Sequence, residues 1–295
     1  MDIPNNQISS IQDHTFNGLT NLIELYLHDN RIISLNENTF NGLKNLKELY
    51  LNNNKINALN DNPFKKLSSL QRLDLSNNQI RLRNENSFYG LTNLKILNLS
   101  HNQISSLNEN AFNGLTHLQH LRLENNKINS LNEKAFSGLT HLKDLYLSYN
   151  QISSINDKAF TGLTHLLELY LDNNKISSIN ENRFNGLAKL QTLWLDNNKI
   201  SFMNDKAFSG LANLKWLVLS RNQISGIDDK VFNGLTHLQT IWLQNNNISS
   251  LNETSFKGLA NLKELSFYSN RMSSSNAQIL KQQLLKTFSD CNILV

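Results

Sequence analysis

Apolar and polar positions along this chain recur with a fixed period. Leucine opens a unit at Leu22, Leu46, Leu70, Leu94, Leu118, Leu142, Leu166, Leu190, Leu214, Leu238 and Leu262, each 24 residues after the last, with no insertion or deletion. Within a unit the pattern is L-x-x-L-x-L-x-x-N-x-I-x-x-L-x-x-x-x-F-x-G-L. The unit from Leu142 shows it whole, through Leu145, Leu147, Asn150, Ile152, Ile155, Phe160, Gly162 and Leu163. A strict repeat of this length marks a solenoid, in which each unit buries its apolar side against its neighbours.

The alternation that closes L-x-x-L-x-L predicts a short, half-buried strand in every unit, stacked into a parallel sheet. Asparagine fills one column from Asn6 and Asn30 through Asn102 and Asn150 to Asn270. A buried turn leaves backbone N–H and C=O groups in need of partners, and an amide side chain both donates and accepts. A second column, from Phe16 to Phe256, takes eleven of the fourteen phenylalanines and predicts an aromatic core. Ten of the eleven glycines stand two residues after that Phe, where an unusual turn is expected.

These units resemble the typical 24-residue class of leucine-rich repeats found in Toll-like receptor ectodomains and related proteins, over nearly the whole chain. The resemblance implies an α/β-type leucine-rich-repeat solenoid, a curved right-handed coil. Its parallel β-sheet is expected on the concave face, with short 3-10 and extended segments on the convex face. It also implies a non-enzymatic recognition scaffold, since family members mostly bind protein partners. The paired cysteines that cap many extracellular members are missing. Cys291 is the only cysteine, which excludes an intrachain disulfide and reads as a small buried apolar residue.

The expected organisation is a partial repeat over 1–21, ten full repeats over 22–261, and a last repeat over 262–295 with a helix–strand cap. Met1 and Ile3 fall in register with strand leucines, so the chain begins inside a repeat. Two readings follow: a truncated or degenerate end, or an edge open to self-association with another chain. Ala277, Leu280, Leu284 and Phe288 recur at helical spacing, with Ser275 or Asn276 expected as the N-cap, and Cys291 to Val295 reads as a final strand. Two successive units depart from the pattern: in the unit from Leu46, Lys66 replaces the glycine and Pro63 precedes Phe64, and in the third, from Leu70, Arg83 stands where Leu or Ile belongs, with Leu82 placed to turn inward instead.

Charge narrows the function classes. The net charge of +4 is spread along the chain without a Lys/Arg stripe, which argues against nucleic acid as partner. No run of 18 apolar residues suggests membrane insertion, and Met1-Asp-Ile-Pro does not read as a signal peptide. As written the chain is expected in the cytoplasm, or outside the cell if its beginning is truncated. No H-E-x-x-H, G-x-S-x-G, P-loop, C-x-x-C or G-x-G-x-x-G occurs, so no catalytic residue and no cofactor is assigned. His117, His141, His165 and His237 share a column filled elsewhere by Asn, and read as polar edge residues, with no metal assigned.

Candidate chemistry lies on the sheet. Five positions per unit, the second, third, fifth, seventh and eighth, are expected to face outward. Of the ten Tyr and Trp residues, nine occupy them: Tyr26, Tyr50, Tyr146, Tyr149, Tyr170, Trp194, Trp216, Trp242 and Tyr268. Strand propensity accounts for some of this enrichment, but aromatic residues are also the commonest binding anchors. Tyr146, Tyr170 and Trp194 are expected to form a ladder extended by Trp216 and Trp242, flanked by Asp144, Glu168, Asp172 and Asp196, with Lys143 the main nearby base. With Tyr149 and without Lys143, ten residues form the expected partner-binding strip. Such a strip suits a protein or peptide carrying Lys or Arg beside apolar side chains. A glycan or lipid-linked microbial ligand and a self-assembling structural array are the alternatives. The middle units, with Arg72, Lys95, His101, His120 and Arg122, are expected to be polar and mildly basic.

Overall fold

The computed structural model describes residues 1–59, 62–82 and 87–295. These form two compact units, Met1–Gln151 and Ile152–Val295. Every unit of sequence makes one turn of a coil and contributes one three-residue strand to a parallel sheet.

In the first unit the strands are Glu24–Tyr26, Glu48–Tyr50, Arg72–Asp74, Ile96–Asn98, His120–Arg122 and Asp144–Tyr146. They pair in chain order and in strict register, so Leu25, Leu49, Leu73, Leu97, Leu121 and Leu145 form one buried row. Asp2 bridges Tyr26, which continues the ladder to the first residues of the chain. In the second unit Glu168–Tyr170, Thr192–Trp194, Trp216–Val218, Thr240–Trp242 and Glu264–Ser266 follow the same rule. A final strand, Asn292–Leu294, pairs with Glu264–Ser266. Its approach is made by the helix Ser274–Thr287, whose Leu280 and Leu284 are buried. The N-cap is Ser273, whose hydroxyl accepts from the Asn276 N–H at 3.3 Å, and neither Ser275 nor Asn276. Helical spacing locates the apolar face, but the cap falls wherever the backbone leaves extended geometry. Among the described residues no helix is long and apolar enough to cross a membrane.

The asparagine column solves the backbone accounting of the turns. Asn102, 7% exposed, donates through Nδ2 to the carbonyls of Leu75, Leu99 and Ser100 at 3.0, 3.1 and 3.1 Å. Its Oδ1 accepts from the Ile80 N–H at 2.9 Å. Each such residue therefore ties its own coil to the one before it. On the opposite side of each unit the Phe rings stack in a column, neighbouring centroids lying 5.9 to 6.4 Å apart. That side is built of turns, two-residue strands such as Ser34–Leu35 with Ala58–Leu59 and, among the described residues, one 3-10 helix, Glu253–Phe256.

The ten column glycines all have φ between 83° and 97°. At Gly42 a Cβ would also lie 2.7 Å from the Phe16 carbonyl oxygen, so glycine there answers to packing as well as to dihedral angle. In the third unit Leu82 is buried at 6% exposure with φ of 45°, so it does turn inward. Arg83, whose departure it compensates, lies outside the described residues. Cys291 is buried, and burial with the nearby Glu264 charge pushes its thiol up to about 11.

Candidate functional site

The aromatic cluster of the second unit follows from strand register. Tyr170 pairs with Trp194, Trp194 with Val218, and Val218 with Trp242, all at the fifth position of their coils. Tyr170 and Trp194 have centroids 5.7 Å apart at 50°, and Trp194 and Trp242 approach to 6.4 Å at 60°, although a strand lies between them. Val218 makes this closure feasible: its small side chain is buried at 3% exposure beneath the two indoles. A residue that interrupts the aromatic series in sequence is thus its floor in three dimensions. Trp242 donates from Nε1 to Glu264 at 2.9 Å, and the Tyr170 hydroxyl donates to Glu168 at 2.8 Å. The rings are therefore held in orientation by carboxylates at the third position.

Trp216 does not extend this ladder. It stands at the third position, 41% exposed, with the Lys215 ammonium 6.0 Å from its ring. Third- and fifth-position residues share a face but are separated along the strand, so ring stacking between coils joins only residues of one column.

The expectation that seventh positions face outward holds unevenly. Ser76, Ser100, Asp172 and Ser220 are buried there, whereas Tyr268, at the same position of its coil, is 42% exposed. Asp172, at 8% exposure, accepts from the Asn173 amide at 2.7 Å. Asp196, one coil on, has a buried Oδ1 without a hydrogen-bond partner. Burial, reinforced by the Asp172 charge, pushes Asp196 up to about 6. The native chain thus keeps this proton at pH values where an unfolded Asp, near 3.9, has lost it. The resulting stabilisation is complete below about pH 3.9 and is lost as pH rises through about 6. Asp196→Asn is expected to leave stability above pH 6.5 equal or higher, and to remove this part of the decline. Melting temperatures of both chains between pH 4 and 7.5 check it; parallel curves would refute the assignment.

The first unit disposes of its share of the expected strip differently. Tyr146 carries the Arg122 guanidinium 5.0 Å above its ring, and Asp144 is bonded to His120 Nδ1. These two, rather than Lys143, are the bases that meet it. Tyr149 is 56% exposed. Two further tyrosines, Tyr26 and Tyr50, stack at 4.8 Å and 3°, and Arg72 lies 5.7 Å from the Tyr50 ring. Burial and the Glu48 hydrogen bond raise the Tyr50 hydroxyl to about 12. The strip is therefore not uniform: its acidic, aromatic character is concentrated in the second unit, from Glu168 to Glu264. Glu264 and Val218 had no part in the sequence reading, since neither is aromatic and only the cross-strand contacts reveal their roles.

The histidine column has a structural account. His117, His141 and His237 donate through Nδ1 to the carbonyls of Thr92, Thr116 and Ala212 at 2.8, 2.8 and 2.9 Å. Asn45, Asn93, Asn213 and Asn261 make the same bond to the preceding coil. Imidazole here substitutes for an amide donor.

Repeat, asparagine ladder and parallel sheet converge on one architecture, and the sequence model for "Leucine rich repeat" matches residues 1–56, 44–104, 92–152, 140–200, 189–248 and 236–282. The chain belongs to the leucine-rich-repeat family. Among solved structures, this leucine-rich-repeat chain is similar to one in the TLR13–ssRNA13 complex, at 29% identity and a TM-score of 0.76 over 94% of this chain and 44% of that one. It therefore spans less than half the length of that relative. A leucine-rich-repeat protein of Leptospira interrogans is 25% identical with a TM-score of 0.59, over 100% of this chain and 83% of that one. A chain from the octameric complex of Latrophilin 3, Unc5D and FLRT2 shares the fold at a TM-score of 0.82 and 24% identity, covering 99% and 90% of the two chains. Curated protein sequences give no match.

Proposed function

We propose that this leucine-rich-repeat chain is a non-enzymatic scaffold that binds a protein or peptide on its sheet face. The carrying observation is the Tyr170–Trp194–Trp242 cluster, closed over Val218 and bordered by Glu168, Asp172, Asp196 and Glu264. Half-exposed rings held by carboxylates offer apolar contact and a negative border together, which suits a polypeptide segment with Arg or Lys beside apolar side chains. Trp216 adds contact beside the cluster, while Asp144, Tyr146 and Tyr149 are the corresponding contacts of the first unit. The neighbours support this class: one is drawn from a complex of Latrophilin 3, Unc5D and FLRT2. The TLR13 complex contains ssRNA, but here the carboxylates around the rings would repel a phosphate backbone. A glycan is disfavoured because ring planes at 50° and 60° to one another offer no shared platform for a sugar.

Parallel arrays of peptides and of glycans, with single-stranded RNA as a third probe, test the class of ligand; retention of glycans or RNA alone would overturn the proposal. The double variant Tyr170→Ala, Trp194→Ala is expected to lose peptide binding at least tenfold with a nearly unchanged melting curve. An equal loss of stability would show that the rings serve the core instead.

A further inference from the structure

The turn after the phenylalanine column carries glycine in ten coils and lysine, Lys66, in one. Lys66 is not in the left-handed region that those glycines occupy, so its coil leaves Phe64 by a different path. The neighbouring turns are also packed differently from the rest. A Cβ on Gly90 would lie 2.8 Å from the Lys65 carbonyl oxygen, and one on Gly42 2.7 Å from that of Phe16. The other eight column glycines meet no backbone of another coil within 4 Å. Both close approaches are to the preceding coil, so the Gly42 turn is drawn away from the turn at Lys65 and Lys66. A cavity of about 370 Å³ opens between them, walled by Gly42, Leu43 and Lys44 on one side and by Lys65, Lys66 and Ser68 on the other.

The wall of this cavity brings three ammonium groups and a hydroxyl together and contains no carboxylate. Elsewhere on this side of the coil a lysine is matched to a carboxylate of the preceding coil, as Lys134 is to Glu109 and Lys206 to Glu181. Lys65 follows that rule: it bonds Glu37, whose carboxyl Lys65 and then Lys66 hold below the usual range. Lys66 itself reaches a neutral acceptor, Asn41 Oδ1, at 2.8 Å. Lys44 is exposed and, among the described residues, has neither an ion pair nor a side-chain hydrogen bond. A structural tie to Asn41 accounts for Lys66 alone; it gives no reason for Lys44 or for the opening between the coils. Like charges gathered at one cavity repel, and an anion placed among them turns that repulsion into attraction. The volume exceeds that of a bare ion and lies at the small end of ligand sites.

We propose that this opening binds the phosphate or sulfate group of a small soluble ligand, with Lys44 and Lys66 as charge-assisted donors and Ser68 contributing its hydroxyl. Lys65, held by Glu37, borders the site. The opening lies on the turn side of the first unit, off the sheet, and does not depend on the peptide site proposed above. Titration calorimetry at fixed ionic strength tests it, with inorganic phosphate, inorganic sulfate and methyl phosphate as probes and chloride as the balancing salt. The probes are expected to bind the wild-type chain. Lys44→Gln and Lys66→Gln should each weaken them at least tenfold, the loss of one hydrogen bond to a charged group. Without phosphate, Lys44→Gln should melt with the wild type, since that side chain holds nothing in the fold.

Equal affinity in the wild type and both variants would mark an adventitious ion only and overturn the proposal, as would the absence of binding to all three probes. Sedimentation with phosphatidic acid vesicles, without affinity for any soluble probe, would also overturn it, because the anion would then be a lipid headgroup. Peptide retention on the array should be unchanged in both variants, so either site can fail without the other.

Discussion

Asn102→Asp is expected to destabilise the first unit by about 3–5 kcal/mol at neutral pH, the cost of an uncompensated buried charge. The substitution keeps shape and the Oδ1 acceptor for the Ile80 N–H, but replaces an amide donor with a carboxylate facing the Leu75 and Leu99 carbonyls. Asn102→Ala should cost less, about 2 kcal/mol. Those two carbonyls still accept from Asn78 and Asn126, at 3.1 and 3.0 Å, so only the Ile80 N–H is stranded. Urea denaturation at pH 7 compares the two variants. The aspartate variant should recover part of its loss in acid, where its carboxyl is protonated and can donate once. Equal losses for Asp and Ala, independent of pH, would mean that the column acts by shape and not by hydrogen bonding.

Phe112→Ala is expected to have an effect of similar size, about 3–5 kcal/mol, for a different reason. The ring is 2% exposed and stacks between Phe88 and Phe136, with centroids 6.3 and 6.4 Å away. Its removal leaves a cavity whose walls belong to three successive coils, so the cavity cannot close without shifting their spacing. Because a repeat protein is stabilised largely by nearest-neighbour interfaces, the damage should be local, and the unfolding transition should broaden as well as move. Hydrogen exchange would then show protection lost first in the coils around Phe112. A loss below about 1 kcal/mol would show that the Phe column is a tolerant filler.

Comparison of these two variants with the site variants separates scaffold from function. Both scaffold residues are almost fully enclosed, whereas Trp194, Trp242 and Tyr149 retain substantial exposure. The same fold that amplifies a change in the asparagine or phenylalanine column leaves the sheet face free to vary.

The period of 24 residues was sufficient to place the strands, the buried leucines, the asparagine and phenylalanine columns, and the glycine turns. All of these depend on a residue and its equivalent one coil away, and a strict repeat makes that relation readable from the chain alone. Leu82 could be anticipated for the same reason, since it sits one step from a column whose occupant is known.

What the tertiary structure decided was the arrangement of side chains that are not template residues. Trp194 meets Trp242 across an intervening strand because Val218 is small enough to lie beneath them. Trp216 stands apart because stacking follows columns, and Asp172 is buried although Tyr268, at the same position of its coil, is exposed. His120 and Arg122 take up Asp144 and Tyr146, which moves the negative, aromatic surface toward Glu264. Column membership is a property of sequence spacing. Side-chain volume, ring tilt and the choice among neighbouring charges are settled only when adjacent coils are packed, because each depends on at least two neighbours at once.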